Sequence, residues 1–236
     1  MRLHRFYISN QLGNESLVTI DSADLIHQIR RVFRLKKGDE IILFNGTGFD
    51  YECKIAEVHE RSIIASVITT ARSRFQPERN IFLCASVVKK DTFEWIAEKA
   101  TELGVTHIIP VLSERSEKKS LNEKRLQKIV IEASEQSGRG SIPVIETMSN
   151  LDQTIQRLKS EGVNILAFHT EGQHFDKNEE LNEEEPVSVF IGPEGGWSED
   201  EIDLFHKHDV PVRSIGNQVL RAETAVVAIL SLVMFR

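Results

Sequence analysis

Two short apolar segments, each followed at once by a glycine-bearing loop, constrain the fold of this 236-residue chain more than any other feature. Val187–Ile191 is a β-branched apolar run typical of a buried strand, and it ends in the glycine-rich sequence GPEGG. Val212–Ile215 predicts a second strand, which runs into Gly216-Asn217-Gln218. Loops at the carboxyl ends of neighbouring strands form the ligand crevice of an open α/β sheet, and glycine lets the backbone come close to a ligand. The pattern therefore predicts a binding site here.

The rest of the carboxyl-terminal region alternates between strand and helix patterns, which predicts a mostly parallel sheet. Ser198-Glu199-Asp200-Glu201 matches a capping box, so a helix is expected to start directly after the first glycine-rich loop. The other predicted strands are Ile81–Val88, Val105–Val111, Ile142–Ile145 and Val163–Phe168. The other predicted helices run from a cap at Asp91 to Gly104, over Asn122–Ser137, over Leu151–Leu158 and over Ala222–Arg236.

Residues 1–72 predict a small β-rich domain. Ser22 is expected to cap a helix over Ala23–Phe33, and the hairpin signal Asn45-Gly46-Thr47-Gly48 separates the first two of three strand patterns. These strand patterns are Glu40–Phe44, Tyr51–His59 and Ser62–Thr70. The polar stretch Ala71–Asn80 interrupts the strand pattern and is expected to be a linker. We therefore expect two domains, 1–72 and 73–236.

Composition narrows the class of protein. The net charge of −7 argues weakly against a nucleic-acid partner, but residues 1–74 carry a net charge of +2, and RNA contact needs only a local basic face. The acidic run Asp176–Glu185 is typical of a solvated loop.

Cys53 and Cys84 have neither disulfide nor metal-ligand spacing, and no nucleotide-binding glycine motif of the Rossmann or P-loop type occurs. No metal is implied. The ten-residue apolar run Ala225–Met234 is too short to span a bilayer, and we expect a cytoplasmic protein.

The two carboxyl-terminal motifs, GPEGGWSEDE and IGNQVLRAETA, resemble those of the ribosomal RNA uridine-N3 methyltransferases, a family of the SPOUT superfamily. Further motifs resemble that family in the same order along the chain. They are HQIRRVFRLKKGD at 27–39, KDTFEWIAEKATELGV at 90–105, SERS at 113–116 and KIVIEASEQSGR at 128–139. The resemblance covers essentially the whole chain.

The resemblance implies a trefoil-knotted SPOUT α/β domain preceded by a PUA-like β-barrel domain. It also implies an enzyme that uses S-adenosylmethionine to methylate N3 of a uridine in small-subunit ribosomal RNA. Three loops would hold this methyl donor: Phe168–Thr170, Gly192–Gly196 and Ile215–Leu220. The donor-binding residues expected in and beside these loops are Phe168, His169, Thr170, Ile191, Gly192, Glu194, Gly195, Gly196, Ile215, Gly216, Asn217, Val219 and Leu220. Gln218 departs from the family pattern, in which a basic residue often stands at this position.

Arg221 and Glu223, beside the third loop, are the candidate catalytic residues. N3 of uridine is protonated at neutral pH, so it must lose its proton or have its developing charge stabilised. Arg221 would orient the uracil or stabilise its anion, and Glu223 would be the base or would hold Arg221. The structural alternative is that Glu223 is a first-turn acid favoured by the helix dipole.

The partner implied by the resemblance is small-subunit ribosomal RNA or the assembled subunit. The candidate RNA contacts are Arg5, Arg31, Arg34, Lys89, Lys90, Arg115 and Arg139. Surface charge without a ligand is the alternative for each of them. A homodimer is also implied, since SPOUT sites are commonly completed across a dimer.

Two other classes of protein stay open. One is an RNA-binding protein of the same fold without methyl transfer, which donor binding would distinguish. The other is a metabolic α/β enzyme, against which the arginine cluster in the amino-terminal region argues.

Overall fold

The computed structural model describes residues 3–10, 12, 16–116, 120–182 and 184–234. The chain separates into two compact units. The first comprises Met1–Gln76 together with Ser134–Ile142, and the second comprises Pro77–Ala133 with Pro143–Arg236. The segment Ser134–Ile142 thus groups with the first unit although it lies far along the chain, an arrangement that the sequence did not indicate.

The first unit is built on a five-stranded sheet with the order β1-β3-β4-β5-β2. Its strands are β1 (His4–Tyr7), β2 (Leu17–Ile20), β3 (Glu40–Phe44), β4 (Phe49–Val58) and β5 (Ile63–Arg72). β1 and β3 are parallel, and the other pairs are antiparallel. Alternating side chains of β3 and β4, such as Ile41, Leu43 and Ile55, are buried in its apolar core. The β-rich prediction is thus confirmed.

Helix α1 (Ala23–His27) begins after Ser22, whose hydroxyl accepts a hydrogen bond from the Leu25 amide at 3.4 Å. A π-helical turn, Gln28–Val32, continues it, so the predicted helix is two segments of different geometry. β1 and β2 were not predicted, because four-residue strands are too short to display an alternating pattern. β5 extends to Arg72, so the start predicted for the linker at Ala71 was wrong.

The second unit is a sheet in which every strand pair is parallel, as predicted. The strand order is β12-β10-β11-β6-β7-β8, with β9 beside β7. The strands are β6 (Ile81–Ser86), β7 (His107–Leu112), β8 (Val144–Ile145), β9 (Ser149–Asn150), β10 (Asn164–His174), β11 (Val187–Ile191) and β12 (Val212–Ser214). β6 and β11 are buried along their whole length, because they are central strands.

Helices alternate with these strands in the part of the chain that the structure describes. They are α2 (Lys90–Glu102), α3 (Glu123–Ser137), α4 (Leu151–Ser160), α5 (Lys177–Glu180), α6 (Glu199–Lys207) and α7 (Ala222–Met234). The predicted cap at Asp91 was wrong: Lys89 occupies the cap position but its side chain does not cap the helix, and Asp91 lies in the first turn, where the helix dipole favours an acid. The last two residues of the predicted final helix, Phe235 and Arg236, lie outside the described residues, as does Glu183 in the acidic run.

Each unit holds one free, buried cysteine: Cys53 on β4 and Cys84 on β6. Burial raises the pKa of the Cys53 thiol to about 12. Burial also raises the pKa of the Cys84 thiol well above its usual range, and the Glu146 carboxylate adds to this effect. In the part of the chain that the structure describes, no helix is both long and apolar enough to cross a membrane.

These two thiols report on the two units separately. Because the thiolate is the reacting species, neither cysteine of the native protein is expected to react with iodoacetamide at about pH 8, whereas an ordinary thiol is partly ionised there. With increasing urea, Cys53 should become alkylated when the first unit opens and Cys84 when the second unit opens. Peptide mass spectrometry of the alkylated protein measures both fractions.

Protein fully unfolded in concentrated urea is the control, in which both cysteines should react at similar rates. Rapid alkylation of either cysteine in the native protein would contradict the burial described here.

Candidate functional site

The carboxyl ends of β10, β11 and β12 lie side by side at one edge of the second sheet. β10 is the middle strand of the three, with β11 on one side and β12 on the other. The chain reaches β12 only after β11 and α6, so the strand order reverses at this point. Crevices at such reversals are where open α/β sheets bind ligands. The three loops predicted to bind a donor all leave the sheet here.

The first loop is an interruption inside β10. Arg213 of β12 pairs with both Phe168 and Gln173, so the residues from His169 to Gly172 leave the ladder. Gly172 must lack a side chain, because a Cβ atom there would lie 2.6 Å from the carbonyl carbon of Arg213. Arg213 in turn donates from Nη1 to Gln173 Oε1 at 3.2 Å and is ion-paired with Glu180. The bulge therefore has a defined shape, with His169 and Thr170 at the crevice.

The second loop follows β11 and is closed by Trp197. The Gly196 amide donates to the Pro193 carbonyl at 2.8 Å, which forms a tight turn. The Trp197 ring is 2% exposed and packs edge-to-face on Phe205 at a centroid distance of 5.2 Å. Its Nε1 donates to the carbonyl of Phe168 at 3.1 Å, which ties the second loop to the first.

The helix after this loop begins as predicted. The Ser198 hydroxyl accepts from the Glu201 amide, and the Glu201 carboxylate accepts from the Ser198 amide at 2.9 Å. This is the predicted capping box.

The third loop connects β12 to α7. The Ser214 hydroxyl donates to the Gly216 carbonyl at 2.8 Å and accepts from the Gly216 amide at 3.3 Å. Beyond Gly216 the loop is exposed, with 82% of Val219 accessible to solvent. An apolar side chain so exposed beside a crevice is available to cover a bound molecule.

The three loops line one cavity of about 290 Å³. This is at the lower end of the range of about 300–1,000 Å³ typical of small-molecule sites. All the predicted donor-binding residues except Asn217 line it. Pro193 and Gln218, which belong to the predicted loops, also line the cavity. The lining is completed by residues that the sequence did not single out: Trp197, Arg213, Ser214, Ala222, Ala225 and Ile229. Of these residues, only Trp197 could have been predicted from the sequence, because it directly follows a glycine-rich loop.

The candidate catalytic residues flank this cavity without lining it. Arg221 is exposed and directly precedes α7, and Glu223 is half-buried in the first turn of that helix. Ala222, between them, lines the cavity. Both residues therefore lie at the rim of the cavity, at the amino-terminal end of α7, which is the positive end of the helix dipole.

Two of the candidate RNA contacts, Arg5 and Arg139, are structural residues of the first unit. The Arg5 side chain is 7% exposed, and its guanidinium forms an ion pair with Asp50 and donates to the Arg139 carbonyl at 3.1 Å. Arg139 itself is 4% exposed, and burial lowers its pKa to about 10. These contacts anchor the segment Ser134–Ile142 to the sheet and leave neither guanidinium exposed, so the geometry does not support them as phosphate contacts.

Four of the other candidates present exposed charge. Arg31 and Arg34 are exposed on the first unit, and Lys89 and Lys90 are exposed at the start of α2 in the second. Arg115 is also exposed, but its guanidinium is hydrogen-bonded to backbone carbonyls of the loop after β11. The structure thus brings Arg115 to the loop that lines the cavity, which the sequence did not indicate.

Family models match both units. The model described as an RNA methyltransferase domain matches residues 76–234, and the model of an RNA methyltransferase PUA domain matches residues 21–68. Two proteins named ribosomal RNA small subunit methyltransferase E are similar over nearly the full length. The protein of Aquifex aeolicus is 32% identical and covers 98% of this chain and 99% of its own. The protein of Rickettsia conorii is 30% identical and covers 96% of this chain and 93% of its own.

Solved structures match the fold. The ribosomal RNA small subunit methyltransferase E of Neisseria gonorrhoeae, bound to S-adenosylmethionine, has a TM-score of 0.89 and 26% identity and covers 98% of this chain and 96% of its own. A protein of Legionella pneumophila, also with the bound cofactor, has a TM-score of 0.87 and 29% identity and covers 99% of this chain and 97% of its own.

Proposed function

The chain belongs to the ribosomal RNA small subunit methyltransferase E family, and on that premise we propose which residues hold the methyl donor and which act on the RNA. The protein is an rRNA methyltransferase with a SPOUT-type knotted α/β domain and a PUA-like β-barrel domain. It transfers a methyl group from S-adenosylmethionine to small-subunit ribosomal RNA. We propose N3 of a uridine in 16S ribosomal RNA as the acceptor atom. The observation that carries the residue assignment is that three separate loops line one cavity.

The lining of the cavity fits S-adenosylmethionine. Phe168, Ile191 and Ile229 offer apolar surface to the flat adenine ring. The glycine-bearing loops Gly192–Gly196 and Ile215–Leu220 bring backbone amides and carbonyls to the crevice, where they can recognise the base edge without obligatory side chains. Glu194 supplies one carboxylate for the polar groups of a cationic ligand. When bound, S-adenosylmethionine supplies an electrophilic methyl group on a sulfonium, which is a good leaving group.

The protein's remaining tasks are alignment of the uracil and removal of its N3 proton. We propose that the Glu223 carboxylate accepts the N3 proton. The N3 electron pair can then bond to the methyl carbon as the bond from that carbon to sulfur breaks. The negative charge that develops on O2 and O4 is stabilised by the Arg221 guanidinium. The amino-terminal end of α7 adds to this stabilisation, because helix dipoles favour negative charge there.

The RNA partner is assigned to exposed cations on each unit. Arg31 and Arg34 on the first unit, and Lys89 and Lys90 on the second, are exposed and suited to phosphate contacts. Residues 1–72 are proposed to bind RNA and residues 73–236 to carry the reaction, in a cytoplasmic homodimer. The apolar α7, with Leu232 46% exposed, is consistent with a helix that contacts a second copy.

Methyl transfer itself tests the function. We expect that the protein transfers labelled methyl groups from S-adenosylmethionine to small ribosomal subunits isolated from cells that lack this activity. Mass mapping of the product nucleosides should then place the label at N3 of one uridine. Naked 16S ribosomal RNA, tested in parallel, distinguishes a free-RNA substrate from an assembled one.

Transfer to a carbon or to a ribose hydroxyl would contradict the assigned atom. Donor binding without transfer to either substrate would favour the alternative of an RNA-binding protein of the same fold.

Replacement of the two rim residues tests their roles. Arg221→Ala and Glu223→Gln should each lower kcat by about 10²-fold or more, because each removes a group that acts in the transition state, while the affinity for the donor changes little. Steady-state methyl transfer with saturating donor and RNA measures kcat, and calorimetric titration measures donor affinity.

Asp91→Asn is the matched control for Glu223→Gln, since Asp91 is also a first-turn helix acid but lies at α2. It should retain full turnover. If Glu223→Gln also retained full turnover, Glu223 would be only a helix-dipole partner.

A further inference from the structure

A short turn after β7, Ser113–Ser116, has a shape fixed by its own hydrogen bonds. The Ser113 amide donates to the Ser116 hydroxyl at 3.1 Å, the two hydroxyls lie 2.8 Å apart, and the Ser116 amide donates to the Ser113 carbonyl at 3.1 Å. The two residues inside the turn, Glu114 and Arg115, are therefore presented in a defined direction. The Arg115 side chain contacts the loop after β11, and the Glu114 amide contacts Glu201 of α6.

The Arg115 side chain binds the backbone of the loop after β11. Its Nη1 donates to the Gly195 carbonyl at 2.6 Å and lies 3.4 Å from the Trp197 carbonyl. A Cβ atom at Gly195 would lie 3.3 Å from Cδ of Arg115, so the arginine stem packs closely on this glycine. Hydrogen bonds from a charged donor are stronger than those between neutral groups. Because Gly195 lines the donor cavity, Arg115 acts on that cavity through the Gly195 carbonyl.

Glu201 joins the same turn to Ser198, the residue directly after the loop. One carboxylate oxygen accepts from the Glu114 amide at 3.0 Å, and the other accepts from the Ser198 amide at 2.9 Å. Glu201 is 8% exposed, so these bonds are shielded from water. Glu201 thus does more than complete the capping box of α6, since it also fastens α6 to the turn after β7.

We propose that Arg115 and Glu201 are positioning residues, which hold the Gly192–Trp197 loop in the shape that binds the methyl donor. This inference rests on the proposed function. It replaces the expectation that Arg115 contacts RNA phosphate. The physical basis is preorganisation: a loop already held in its binding shape loses less conformational freedom when the ligand binds.

The experiment compares donor binding with RNA binding in the same variants. Arg115→Ala should weaken S-adenosylmethionine binding about 10-fold or more, as expected for loss of a charge-assisted hydrogen bond. Its kcat at saturating donor should stay close to that of the unaltered protein. Arg115→Lys should recover part of the affinity, because an ammonium can still donate to one carbonyl. Calorimetric titration and steady-state kinetics measure these quantities.

RNA binding at several salt concentrations shows whether Arg115 is a positioning residue or a phosphate contact. Lys90→Ala, which removes a proposed phosphate contact, should reduce the slope of log K against log salt by about 0.7–0.9. Arg115→Ala should leave that slope unchanged. Arg125→Ala is the matched control: Arg125 is an exposed arginine of the same unit with an ion pair to Glu94, and its loss should change neither donor binding nor the slope.

Glu201→Gln provides a second variant. The new side-chain NH₂ group cannot accept a hydrogen bond, so one of the two backbone amides loses its acceptor and donor binding should weaken here too. Alkylation of Cys84 checks that the second unit stays folded. Normal donor binding by Arg115→Ala would overturn the proposal, and a reduced salt slope in that variant would restore the phosphate contact. Absence of donor binding by the unaltered protein would instead overturn the proposed function itself.

Discussion

One buried hydrogen bond, from the Trp197 indole to the Phe168 carbonyl, joins the two loops on which the donor cavity depends. The indole is fixed by its edge-to-face contact with Phe205 on α6, and the carbonyl belongs to the last regular residue of β10 before the bulge. A buried N–H group without a partner costs about 1–3 kcal/mol, so this contact specifies how the two loops meet. The position of the glycine-rich loop is therefore fixed by its contact with β10.

The parallel sheet supplies the second constraint. Because β10 lies between β11 and β12, three carboxyl ends meet at one edge, and the loops that follow them converge. α7 then starts beside the third loop, which places Arg221 and Glu223 at the rim while Ala222 and Ile229 line the cavity. In the proposed assignment, donor binding and acceptor chemistry are adjacent because one short connection leads from the third loop to the helix that carries Arg221 and Glu223.

Local patterns in the sequence predicted much of this arrangement. The strand Val187–Ile191, the capping box from Ser198 to Glu201 and the glycine loops depend on neighbouring residues, and they lie where the pattern places them. The bulge after Phe168 was missed, because it depends on pairing with Arg213, far along the chain. Arg5, Arg115 and Arg139 looked like surface charge for the same reason: a sequence shows that a residue is cationic but not that a distant carboxylate or carbonyl holds it. The contacts of Arg5 and Arg115 are each about 45 or more residues away in the chain.

If the three loops form one site for S-adenosylmethionine, hydrogen–deuterium exchange of the full protein with and without the donor should show it. A saturating donor should slow exchange of backbone amides in all three loops, at 168–172, 192–197 and 215–221, over the same range of donor concentration. Amides of the first unit should be unaffected. Donor binding with slower exchange in only one loop, or in none of the three, would mean that the three loops do not form one donor site.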